Sequence, residues 1–132
     1  MNAGNLSMPL GAAHRLAGER TLMRIYVGES DRYGGTALFK AIVELLRQRG
    51  LAGATVMQCI MGFGTDRAMH AYTSDISALD LPVVVECVDT EERIQSVLPA
   101  LDTMIGAGLI TLERAMVIAY RAHDTDKSRG AP

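Results

Sequence analysis

The sequence predicts an α+β domain in the ferredoxin-like βαββαβ order, with an antiparallel four-stranded sheet and two helices on one face. Three observations carry that expectation. Residues 21–27 alternate apolar and polar; two amphipathic stretches, 36–49 and 89–105, repeat apolar residues at three- and four-residue steps; and two apolar runs, 54–61 and 83–88, follow one another with only a polar loop between them.

The elements follow in chain order. In 21–27, Met23, Ile25 and Val27 share one face and Arg24 and Tyr26 the other, and Gly28 ends the strand. A turn-rich connection, 29–36, leads to Thr36, which is expected to cap the first helix. That helix places Leu38, Ala41, Ile42, Leu45 and Leu46 on one stripe, and Gly50 is suited to the left-handed residue that stops it, with Leu51 making the contact that follows. Residues 54–61 are apolar on both alternating faces apart from Thr55 and Gln58. Residues 83–88 repeat the pattern with Glu86 as the lone charge, and Asp89-Thr90-Glu91-Glu92 reads as a capping box with Asp89 as the cap. Ile94, Val97, Leu98, Leu101, Met104 and Ile105 form the second helical stripe, which Pro99 is expected to kink and the triplet Gly106-Ala107-Gly108 to end. The last strand is expected over 109–120.

With 132 residues, 48% of them apolar, the chain has room for one domain with a real core. The expected division is a disordered extension at 1–20, the domain at 21–121 and a disordered tail at 122–132, because both ends are polar, rich in small residues and without period. Thirteen basic against fifteen acidic residues, with no basic run, argue against a nucleic-acid partner. Cys59 and Cys87 both lie in apolar runs and read as buried thiols of a reducing compartment. No export signal or bilayer-length apolar segment is read, so a cytoplasmic location is expected. Two helices cover one sheet face, yet the strands carry apolar residues on both, so self-association is expected to cover the second.

Arg24-Ile25-Tyr26-Val27-Gly28-Glu29, Gly53-Ala54-Thr55-Val56, Met61-Gly62-Phe63-Gly64, His70, Asp80-Leu81-Pro82-Val83-Val84-Val85-Glu86 and the stretch from Met104 to Ile110 resemble, in matching order, the PII-like family catalogued as domain of unknown function 190. The likeness spans residues 21–120. It implies a trimer of ferredoxin-like subunits with inward-facing sheets, as in nitrogen-regulatory PII and divalent-cation tolerance proteins. It also implies an adenine nucleotide (AMP, ADP or ATP) in the clefts between subunits, as ligand and not as a tightly bound cofactor. A mobile loop between the second and third strands is implied to answer that ligand for a target protein, with membrane transporters among the candidates. The triplet Gly106-Ala107-Gly108 is short and has no Lys, unlike the Gly- and Lys-rich loop of the better-known PII proteins, so their phosphate contacts do not carry over.

The candidate site residues are Glu29, Gly62, Phe63, Gly64, Arg67 and His70. A phosphate needs close backbone N–H groups and a cation, which Gly62, Gly64 and Arg67 can supply; the plainer reading is a strand end with a solvated arginine. Phe63 either stacks on adenine or buries itself. His70 either donates to a phosphate, ligates a metal or is a solvated side chain. Glu29, with Asp31, either takes a ribose hydroxyl or a partner subunit's arginine, or serves as ordinary helix-entry charge. The leading function is a nucleotide-binding regulator; the alternative is a divalent metal-binding protein using His70. No catalytic residues are assigned and no enzyme is expected, because no paired carboxylates or nucleophile with a base stand out.

Overall fold

A computed structural model of the chain describes residues 16–64, 70–71 and 80–121. The loop residue Arg67 and the two ends expected to be disordered therefore lie outside the described residues, apart from residues 16–20, of which Gly18 to Arg20 belong to the first strand. The elements in order are β1 (Gly18–Gly28), β2 (Arg32–Tyr33), β3 (Thr36–Ala37), α1 (Leu38–Gln48), β4 (Thr55–Gln58), β5 (Met61–Gly62), β6 (His70–Ala71), β7 (Pro82–Asp89), α2 (Glu91–Met104) and β8 (Leu109–Val117). The main sheet is antiparallel in the order β4-β7-β1-β8, so each strand–helix–strand half brackets a strand of the other. This is the expected fold, with both helices on one face.

The alternation in β1 determines which face is covered. Met23 and Ile25 are fully buried and Val27 nearly so, and they meet Val83, Val85 and Cys87 of β7. The helices close over them with Leu38, Ile42 and Leu46 from α1 and Ile94, Val97 and Leu101 from α2. Gly50 adopts φ +76°, and Leu51 behind it is buried, its N–H donating to Leu46 O at 3.1 Å. The helix therefore ends as its sequence specifies.

Several boundaries differ from expectation. Strand β1 starts at Gly18, three residues early, because Gly18 to Arg20 pair with Ala115 to Val117 of β8. Thr36 does not cap α1: it pairs with Tyr33 in a two-residue hairpin, and the N-cap is Ala37, which makes no side-chain capping bond. The Leu38 N–H donates instead to Asp31 O at 2.7 Å. Asp89 does not cap α2 either. It is fully buried and accepts from Ala52 N at 2.9 Å and Thr90 N at 2.7 Å, leaving Thr90 as the cap that accepts from Arg93 N at 3.3 Å. A tertiary contact from the α1–β4 loop thus claims the carboxylate and moves the cap one residue on.

Helix α2 runs through Pro99 without interruption. The expected single strand over 54–61 is two pieces. The ladder to β7 ends at Gln58, Cys59 N makes one further bond to Pro82 O at 2.9 Å, and the chain bends at Ile60 to start β5. As an edge strand exposed along its length, β4 has no second neighbour to hold it straight. At the other end of the chain, β8 stops at Val117, and Tyr120 folds back so that its hydroxyl donates to Ala52 O at 3.2 Å.

Candidate functional site

Antiparallel register brings four connections to one end of the sheet. Gly28 is opposite Pro82, Tyr26 opposite Leu109, and Gln58 opposite Val83. Hence the β1 exit (29–31), the β4–β5 junction (59–64), the β7 entry (80–82) and the α2–β8 turn (105–108) converge there.

Two carboxylates knit the first and third of these together. Asp31 accepts from Gly28 N at 2.8 Å, Asp80 accepts from Ser30 N at 2.9 Å, and Glu29 N donates to Leu81 O at 2.9 Å. Asp31, read from sequence as a partner of Glu29, is thereby a loop staple, as is Asp80, which sequence reasoning did not single out. The Glu29 carboxylate is half-buried and makes no hydrogen bond or ion pair with any other described residue. Among the described acids at this end, it remains available to a ligand.

The α2–β8 turn lies against β1. A Cβ on Gly108 would fall 2.7 Å from the Tyr26 carbonyl oxygen and 2.9 Å from Ile105 Cγ2, so only glycine lets the turn lie this close. The β4–β5 junction closes on β7 in a similar way, with a Cβ on Gly62 falling 2.8 Å from Pro82 Cγ. Gly62 therefore has a packing reason to be glycine, whatever it does for a phosphate. Its backbone pairs with that of His70, and Met61 with Ala71, closing the base of the loop that runs from one to the other.

The six predicted residues thus separate into groups. Glu29, Gly62, Phe63 and Gly64 belong to connections at the same sheet end, and the backbone of His70 is held opposite Gly62. Arg67 and the His70 side chain lie outside the described residues. Phe63 is 56% exposed, which favours a contact surface over a buried side chain. Ile60 and Met61 next to it are also exposed, so the junction forms an apolar shelf.

A separate groove lies elsewhere. An open groove of about 760 Å³ between the helices is lined by Tyr33, Lys40, Leu45, Ala100 and Met104, and by none of the six predicted residues. Among the described residues no three His, Cys, Asp or Glu side chains stand close enough together to hold a metal ion. The Cys87 thiol is pushed up to about 12, first by burial and then by the charge of Asp89, so near neutral pH it is a packed apolar group and not a thiolate ligand. No helix among the described residues is long and apolar enough to cross a membrane.

The family description for domain of unknown function 190, "Uncharacterized ACR", matches residues 20–117. The chain is 38% identical over 92 residues to the UPF0166 protein MJ1524 of Methanocaldococcus jannaschii, covering 69% of this chain and 84% of that one. A UPF0166 protein of Aquifex aeolicus is 36% identical over 100 residues, or 76% of this chain and 94% of that one. Among solved structures, the fold is similar to CPII of Thiomonas intermedia K12, a nitrogen regulatory PII-like protein bound to ADP, AMP and bicarbonate, with TM-score 0.59 and 15% identity over 75% of this chain and 88% of that one. It is also similar to a putative PII-like signaling protein of Thermus thermophilus, with TM-score 0.58 and 20% identity over 76% and 91% of the two chains.

Proposed function

We propose a function from the premise that the chain belongs to the family of domain of unknown function 190: it is a PII-like regulator and not an enzyme. It assembles as a homotrimer in the cytoplasm, binds AMP, ADP or ATP in the clefts between subunits, and signals to a target protein through the loop 65–80. The observation that carries this reading is the convergence at one sheet end of Gly62-Phe63-Gly64, the uncommitted Glu29 carboxylate and the turn closed by the tightly packed Gly108. Phe63 offers a face for adenine, Glu29 an acceptor for a ribose hydroxyl, and the glycine-flanked backbone an approach for phosphate. On this reading a neighbouring subunit covers that sheet end and makes a cleft of it. That a solved protein of this fold is described as bound to ADP and AMP supports the choice of ligand.

Calorimetric titration of AMP, ADP and ATP into the full chain tests the proposal. Saturable binding of at least one is expected. Phe63→Ala should weaken it by roughly 10–100-fold, the loss of one base–aromatic stack, and Arg67→Ala should weaken it as well. No binding of any of the three nucleotides would contradict the proposal.

A further inference from the structure

The sheet face that the helices leave uncovered carries a row of three charges across its centre. Arg24 of β1 donates from Nε to Glu86 of β7 at 3.3 Å and from Nη1 to Glu113 of β8. By register the same face presents Leu22, Tyr26, Met57, Val84, Val88 and Leu109 around that row. Met57 and Leu109 are 41% and 55% exposed. An apolar sheet face with charges at its middle is hard to bury, because each ion loses its water.

We propose that Arg24 is the residue that lets this face be covered by further copies of the chain, by pairing with both flanking carboxylates within its own protomer and so offsetting one of their two negative charges. The inference rests on the assembly proposed above and goes beyond it by naming what controls that assembly. Both carboxylates share the Arg24 guanidinium, so an opposing surface need not bring a cation for each of them. A second copy hides its own charges in the same way and meets apolar residues with apolar residues. Glu86 is the deeper carboxylate, its side chain 24% exposed, whereas Glu113 keeps 53% of its surface exposed near the β8 edge, so the carboxylate in excess need not be fully dehydrated. Without Arg24 the two acids would face a covering copy with no counter-charge. Replacing all three charges by apolar residues would remove the conflict instead.

Sedimentation velocity over a dilution series of the full chain tests this. The native protein should associate, and Arg24→Leu should raise its dissociation constant by at least ~100-fold, as expected for orphaned charges at a buried seam, with far-UV circular dichroism unchanged. Glu86→Gln with Glu113→Gln should act in the same direction by orphaning the arginine. It decides the matter by the same criterion if Arg24→Leu misfolds. The triple variant Arg24→Leu, Glu86→Leu, Glu113→Leu should return to within about tenfold of native affinity. Native-like association of the folded Arg24→Leu protein would overturn the role of Arg24 and leave the assembly standing. A native protein that stays monomeric throughout would overturn the assembly, and this inference with it.

Discussion

The two faces of the sheet come from the same strands yet solve different problems. On the covered face, Met23, Ile25 and Val85 are fully buried, and no charge interrupts the packing until Asp89 at the strand end, where two backbone N–H groups meet its carboxylate. On the other face the alternate residues of β1 and β7 are Arg24, Tyr26, Val84 and Glu86, and apolar surface is mixed with an ion triad. The first arrangement suits a core formed once, on folding. The second suits a surface that tolerates water. Alternation along one strand thus gives the sheet two faces of different chemistry, one closed into the core and one left open by the helices.

Substitutions on each face can break or sharpen that contrast. Ile25→Ala, on the covered face, should cost about 2–5 kcal/mol of folding stability as a large-to-small core change, read from the shift in urea midpoint. Asp89→Ala, at the end of that face, should cost roughly 1–3 kcal/mol because it strips an acceptor from the Ala52 and Thr90 N–H groups. Its amide-exchange protection should fall at the α1–β4 loop first. Met57→Ser, on the uncovered face, should change folding stability by no more than about 0.5 kcal/mol while weakening association in sedimentation. If Met57→Ser unfolded the protein as readily as Ile25→Ala, the two faces would not be distinct.

The elements easiest to read from sequence were those whose pattern is local. The β1 alternation and the Leu38, Ile42 and Leu46 stripe of α1 appear in the core as the period requires. Features set by distant residues were not legible. Asp89 looked like a helix cap because nothing in its neighbourhood announces that Ala52, 37 positions earlier, will claim it. The break after Gln58 follows from β4 lying at the sheet edge, which composition does not encode. Arg24 finds carboxylates 62 and 89 residues away only through cross-strand register. Of the candidate site residues, the glycines and Phe63 of the β4–β5 junction and Glu29 fall in connections that meet at one sheet end. The sequence did not show that Asp31 and Asp80 staple the loops beside them, or that Gly108 is needed where the turn meets Tyr26.

Native mass spectrometry of the full chain, sprayed with and without ADP, tests most directly whether assembly creates the nucleotide site. The account predicts a species at three times the 14.2 kDa protomer mass that takes up to three nucleotides, while residual monomer takes none. A lone protomer that binds ADP, or a trimer that binds no AMP, ADP or ATP, would contradict it.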